Sequence, residues 1–190
     1  MVLQYNLITT ITENLGIGKD NELPFDLPTI VEYCETFCAQ TKDKTKKNLM
    51  IFGRKTWDSL KDDEKPLFGL INFVLTSRDD LDVSKYPDVY VFHSWKDMND
   101  KLINPEFKKK YETIWIGGGT ELYDYAQKSE HFFRAYIMRL KKFYESDVFF
   151  PKLVDNVRRI DDERLPKGIQ FHDGVEWEFE AWENTNLPKN

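Results

Sequence analysis

Three consecutive glycines, Gly117-Gly118-Gly119, follow the apolar run Ile114-Trp115-Ile116 and lead into the helix-like stretch Thr120 to Ala126. A buried strand ending in glycines that open a helix leaves bare backbone N–H groups and a helix dipole where an anion can sit. Cations and hydroxyls recur in comparable settings. Arg54, Lys55 and Thr56 follow Gly53 after the apolar run Leu49 to Phe52, and Arg78 follows Thr76 and Ser77 after Ile71 to Leu75. A fourth run, Gln4 to Ile11, ends at the glycine-spaced loop Asn14-Leu15-Gly16-Ile17-Gly18. Any one of these has a plain explanation, a surface cation or a packing turn, and the glycines alone are not a full dinucleotide fingerprint. Cations, hydroxyls and a glycine-lined helix start on four loops suit a ligand with several phosphates, so a phosphorylated nucleotide is the expectation.

The elements that must position these loops follow from the pattern. Gln4 to Ile11 is rich in β-branched residues and reads as a buried strand, with Met1 to Ile8 as its start. A helix runs from Pro28 to about Gln40, with proline at a tolerated first-turn position. Lys42 to Lys47 reads as a solvated basic loop. Val89 to Phe92 is a further strand, followed by a helix over Ser94 to Leu102. Arg134 to Leu140 is another strand, and Trp177 to Trp182 alternates as an antiparallel edge strand would. The charged stretch Val154 to Gln170 reads as a solvated insertion. Strands alternating with helices predict a mainly parallel sheet with helices on both faces. In such sheets ligands bind outside the carboxyl ends of the strands, where all four loops fall.

At 190 residues, with 41% hydrophobic and 15% aromatic content, the chain is expected to be one domain, 1–190, with a substantial core. A net charge of −6 argues against nucleic acid or an anionic membrane as a partner. No run approaches the length of a membrane span, and the first residues lack the features of a secretion signal. Cys34 and Cys38 are spaced i, i+4, and the three histidines lie far from them in sequence. Two reduced thiols, no metal and a cytoplasmic location are therefore expected.

The chain resembles the dihydrofolate reductase family, of the animal or fungal type. The resemblance rests on Asn14-Leu15-Gly16-Ile17-Gly18-Lys19 with Leu23-Pro24, Phe52-Gly53-Arg54-Lys55-Thr56-Trp57, Pro66 to Leu75, Trp115 to Tyr123 and Phe143 to Pro151, in family order across nearly the whole chain. It implies an eight-stranded, mostly parallel mixed sheet with flanking helices and an antiparallel C-terminal hairpin. It also implies a monomer, NADPH as cofactor and a folate or pterin as substrate. By position, Ile17, Gly18 and Lys19 belong to a loop over the nicotinamide; Gly53, Arg54, Lys55 and Thr56 bind the cofactor phosphates. Thr76, Ser77 and Arg78 hold the adenosine 2′-phosphate. Gly117, Gly118, Gly119 and Thr120 cradle the pyrophosphate with Glu121 and Leu122 behind them, and a cis peptide is implied between Gly117 and Gly118. Thr10 adjoins both ligands.

The substrate half departs from the family pattern. The implied substrate-binding positions are Ile8, Thr10, Phe25, Cys34, Phe37, Leu70 and Met138. Setting Phe37 and Thr41 on the family's aromatic and threonine positions of the first helix places Tyr33 where the family has its catalytic carboxylate. A shift of one residue makes Glu32 the acid but gives a poorer buried stripe, Thr29, Tyr33, Thr36 and Gln40. Glu35 fits that role worse still. Leu70 stands where the family has an arginine clamping the folate tail, and Met138 where it has a threonine bonded to the acid. Phe25 replaces a tryptophan and loses an indole donor. Two functions stay open: a reductase of dihydrofolate or a related pterin, and an NADPH-binding protein of the same fold with impaired catalysis.

Overall fold

In the computed structural model, which describes residues 3–187, apolar runs become strands separated by short helices. The order is β1 (Tyr5–Ile11), β2 (Gly16–Gly18), α1 (Pro28–Ala39), β3 (Lys47–Gly53), α2 (Arg54–Ser59), β4 (Leu70–Leu75), β5 (Val89–Phe92), α3 (Trp95–Ile103), α4 (Pro105–Lys108), β6 (Tyr111–Ile116), α5 (Thr120–Lys128), β7 (Phe132–Leu140), β8 (Val148–Phe149), β9 (Val157–Ile160), β10 (Gln170–His172) and β11 (Val175–Asn184). Met1 and Val2 of the expected first strand lie outside the described residues. Local chemistry sets several boundaries. Pro28 opens α1, the Ser94 hydroxyl accepts the Asp97 N–H to start α3, and the Asn104 side chain caps α4 ahead of Pro105.

Eight strands lie in line, β10-β11-β7-β1-β6-β3-β4-β5. Neighbours from β7 to β5 are parallel, and the pairs made by β11 are antiparallel. The sheet is thus mixed and mostly parallel, with antiparallel C-terminal strands. Two expectations need correction. β11 is not an edge strand: β7 covers one side, and β10 and β9 cover the other. The stretch Val154 to Gln170 is not simply a solvated insertion either, because it supplies β9, which pairs Val157 with Asn184 and Ile160 with Ala181. Backbone bonds hold this charged strand, and local hydrophobic periodicity carries no trace of them.

Period-two alternation sorts side chains onto the two faces. Tyr5, Leu7, Ile11, Ile51, Ile116 and Ile137 pack against Met98 and Leu102 of α3 and Tyr123 and Ala126 of α5. Ile8, Met50, Phe52, Trp115, Tyr136 and Met138 pack against Ile30, Phe37 and Cys38 of α1, with Trp177 and Phe179 of β11.

One cluster fixes α1 from the side. Asp162 accepts hydrogen bonds from Tyr136 Oη (2.9 Å), Arg164 Nε (2.9 Å), Arg164 Nη2 (2.6 Å) and the Arg164 N–H (3.1 Å). The Arg164 guanidinium lies 5.1 Å from the ring centroid of Phe37 and 5.4 Å from that of Tyr136. It therefore covers both aromatic faces while staying paired.

Candidate active site

Because β1, β3, β4, β6 and β7 run parallel, their carboxyl ends share one rim, and the loops leaving them meet. The Gly117 N–H donates to the Ile51 carbonyl (2.8 Å), as the parallel pairing of Ile51 with Ile116 at the end of β6 requires. The Gly118 carbonyl then accepts the Gly53 N–H (2.8 Å), and the Gly119 carbonyl accepts the N–H groups of Leu122 (3.0 Å) and Tyr123 (3.1 Å) as α5 begins. Gly119 faces Thr56 Oγ1, and Gly53 faces Leu122 Cδ1. Gly118 has φ +111°, and a methyl group there would lie 3.1 Å from Tyr123 Oη. That hydroxyl donates to the Ile8 carbonyl (2.8 Å), and burial pushes its pKa well up, so it stays a neutral donor.

The cations come from separate loops. Arg54 Nη1 lies 3.0 Å and Arg78 Nε 3.1 Å from the same oxygen, Oδ1 of Asp80; Arg54 Nε also donates to Asp58 (2.7 Å). Thr76 is buried and its hydroxyl accepts the Arg78 N–H (3.1 Å), while Lys55 and Ser77 are exposed. Across the rim, β2 pairs with β8: Gly16 opposes Phe149 and Gly18 opposes Val148. The Asp147 N–H donates to the Gly18 carbonyl (3.0 Å), the Phe150 N–H to the Leu15 carbonyl (2.9 Å) and Lys19 Nζ to Glu145 (2.9 Å). A Cβ on Gly16 would collide with Ser146 Oγ. The Thr120 hydroxyl, donating to the Phe149 carbonyl (2.8 Å), ties the glycine turn to the same segment.

The half of the rim expected to take the substrate is largely apolar. Ile8, Phe25, Phe37, Leu70 and Met138 are buried, and Thr10 and Cys34 are half-buried. Thr10 Oγ1 points at Met138 Sδ (3.8 Å), so the hydroxyl at this spot comes from β1 and meets a thioether. Phe25 meets Tyr144 edge-on at 5.9 Å. Phe37 packs against Trp115, Tyr136 and Phe179. Tyr33 turns toward β11, with its ring 5.6 Å from Trp177 and 6.1 Å from Phe179, and burial raises its phenol pKa. Glu32 is exposed. Glu35 is exposed as a whole residue, yet partial burial, followed by the nearby Glu64 and Glu32 carboxylates, pushes its carboxyl up.

A sequence model for dihydrofolate reductase matches residues 4–182. The chain belongs to the dihydrofolate reductase family. It is 33% identical to the dihydrofolate reductase of Gallus gallus over 189 residues, covering 98% of this chain and 99% of that one. It is 31% identical to that of Drosophila melanogaster over 183 residues, covering 96% and 98%. Its fold superimposes on Schistosoma mansoni dihydrofolate reductase with a TM-score of 0.82 at 28% identity, covering 97% of this chain and all of the other.

Within this dihydrofolate reductase fold, Gly53, Thr56, Gly117 to Gly119 and Leu122 lie together, and Arg54 lies with Arg78. Glu121, in the first turn of α5, lines a surface cavity with Asn99, Asp124 and Tyr125. The cis peptide lies at Gly118–Gly119, one residue later than the resemblance implied. Three residues of the site escaped sequence reasoning. Asp80 had a signal in its position two residues after Arg78; Tyr123 and Cys38 had none beyond their helical phase. Cys38 is fully buried beside Cys34, and burial raises its thiol pKa. Among the described residues, no cluster of histidine, cysteine or carboxylate side chains could hold a metal, and no helix is long and apolar enough to cross a membrane.

Proposed function

We propose that the chain reduces dihydrofolate or a related pterin with NADPH as the hydride donor. The observation carrying this reading is the meeting of the glycine turn, the Gly53–Thr56 loop and the Arg54–Arg78 pair at one rim of the sheet. Two guanidinium groups, an exposed lysine, hydroxyls and backbone N–H groups form a donor set that fits a phosphorylated dinucleotide. When bound, the nicotinamide supplies a hydride. The chain's own part is to hold and align the two rings and keep water from the reacting faces. Arg54, Lys55, Thr56 and Gly117 to Thr120 hold the linking phosphates, and Ser77 and Arg78 the 2′-phosphate. Ile17, Gly18 and Lys19 cover the nicotinamide, while Ile8, Thr10, Phe25, Cys34, Phe37 and Met138 wall the pterin cleft. In this reading Glu32, which is exposed, or a single water held near Tyr33 supplies the proton. The same proposal takes the chain as one domain, acting as a monomer in the cytoplasm.

A second reading, an NADPH-binding protein with impaired catalysis, is favoured by the substrate half: Glu32 exposed, Tyr33 packed on Trp177, Met138 at the acid-supporting position and Leu70 at the tail clamp. Loss of a general-acid system typically costs about 10²–10⁴-fold in rate. NADPH binding by fluorescence, with NADPH oxidation in the presence of dihydrofolate, decides between them. Binding with dihydrofolate-dependent oxidation supports the reductase; binding without it supports the second reading; no binding refutes both. Arg54→Ala and Arg78→Ala should each weaken NADPH binding, and unchanged affinity in both would refute the phosphate assignment.

A further inference from the structure

Both guanidinium groups of the phosphate corner are already paired with carboxylates from within the chain. Asp80 Oδ1 lies 3.0 Å from Arg54 Nη1 and 3.1 Å from Arg78 Nε, and its second oxygen bonds Arg78 Nη2. Arg54 and Arg78 come from different strand ends, so this single carboxylate ties together two loops. The Arg78 N–H is pinned on the Thr76 hydroxyl (3.1 Å), which folds the chain so that Asp80, two residues on, returns to the Arg78 side chain. Asp58 holds Arg54 Nε from the other side (2.7 Å). Two positive charges thus face two negative ones, and an arriving anion must compete with these carboxylates for the guanidinium groups.

We propose that Asp80 is an internal stand-in for the cofactor's 2′-phosphate, which must displace it, and that Asp80 thereby narrows the chain's preference for NADPH over NADH. The inference rests on the nucleotide reading above. A phosphate monoester carries about −1.5 to −2 charge and three acceptor oxygens at neutral pH, against one charge and two oxygens for the carboxylate. It can take over the Arg78 guanidinium, but its gain is reduced by the Asp80 pair it breaks. NADH has no 2′-phosphate and leaves the two-point Asp80–Arg78 pair in place, so it incurs no such loss. Acidic residues at a strand end beside the adenosine ribose favour the unphosphorylated dinucleotide, and arginines the phosphorylated one. This corner carries both, with Asp80 placed to oppose the arginines.

The test is the dissociation constant of NADPH and of NADH, by protein fluorescence at fixed ionic strength, for the wild type, Asp80→Asn and a charge-matched control. Asp155→Asn serves as the control, since Asp155 is exposed and pairs with Lys152 beyond the far end of α5. Exposed ion pairs of this kind correspond to roughly two- to fivefold in affinity. Asp80→Asn should therefore tighten NADPH by about two- to fivefold, leave NADH within twofold and raise the ratio of the two constants. Asp155→Asn should change neither. Unchanged or weaker NADPH binding in Asp80→Asn overturns the proposal, as does equal tightening of both dinucleotides, which would be a general charge effect. A wild type that binds neither dinucleotide removes the nucleotide reading. In that case, NADPH binding gained by Asp80→Asn supports the stand-in role, and continued absence of binding overturns it.

Discussion

Replacing Asp162 with asparagine removes one charge from the joint that holds α1 against the sheet. The Asp162 side chain is 9% exposed and the Arg164 side chain 43%, so the pair is half shielded from solvent. Asparagine keeps one acceptor oxygen but turns an amide N–H₂ toward either the Arg164 guanidinium, which only donates, or the Tyr136 hydroxyl, whose oxygen already accepts from Arg164. Breaking a fully buried pair costs about 3–5 kcal/mol, and exposed pairs are worth less than about 1. The intermediate exposure here gives a loss of about 2 kcal/mol. For a chain of this size, that corresponds to a fall in Tm of about 4–8 °C. The pH dependence gives a second check. The Arg164 guanidinium, the Arg164 N–H and the Tyr136 hydroxyl hold the Asp162 carboxyl well below the usual carboxylate range. A carboxyl depressed in the folded state contributes fully above its unfolded pKa of about 3.9, and the contribution is lost as pH falls toward the folded value. Urea unfolding should thus show the full gap between wild type and Asp162→Asn at pH 6. Below about pH 4 the gap should shrink, at a limiting slope of about 1.4 kcal/mol per pH unit. A gap under about 0.5 kcal/mol at pH 6, or one as large at pH 3 as at pH 6, would refute the reasoning. Since Arg164 also covers Phe37, the variant should lose more affinity for dihydrofolate than for NADPH.

Leu70→Arg should tighten binding of dihydrofolate relative to a pterin without a carboxylate tail by about tenfold or more, at a cost in stability because Leu70 is 3% exposed. An unchanged ratio in competition binding would mean that the tail runs elsewhere or that folate is not a ligand. Gly118→Ala introduces a Cβ at φ +111° against the Tyr123 ring. It should cost about 2 kcal/mol and greatly weaken NADPH binding, measured by urea unfolding and fluorescence; a variant as stable as wild type contradicts the close approach. Tyr123→Phe deletes the bond to the Ile8 carbonyl and should cost about 1–2 kcal/mol in the same unfolding assay, with little change expected in NADPH affinity.

The sheet and the meeting of its rim loops were legible because their signals are local. Each strand is a short apolar run, and the glycines, cations and hydroxyls stand directly at its end, so alternation and the parallel-sheet rule place them together. The register of α1 is different. Its two candidate stripes, through Ile30, Tyr33, Cys34 and Phe37 or shifted by one, share Tyr33, and what orients that ring is the aromatic shelf of Trp177 and Phe179 far along the chain. The fully buried Cys38 extends the covered face beyond either stripe. For β9 the information is sparser still: Val157-Arg158-Arg159-Ile160 looks solvent-facing, and only pairing with β11 makes it a strand. Asp80 was overlooked for a related reason, since its importance lies in reaching Arg54 across a gap that sequence spacing does not measure.

The bracket formed by β2 and β8 has a consequence for how such a chain can be altered. Gly16 leaves room for Ser146, the Asp147 N–H bonds the Gly18 carbonyl, and Lys19 pairs with Glu145, so the glycine loop and the segment after β7 fit as two halves of one hinge. A graft of the loop alone from a relative would bring in one half and leave the other unmatched. Chimeras should therefore exchange residues 12–20 and 143–150 as a set, and a substitution that enlarges either half shifts the constraint to its counterpart in the other.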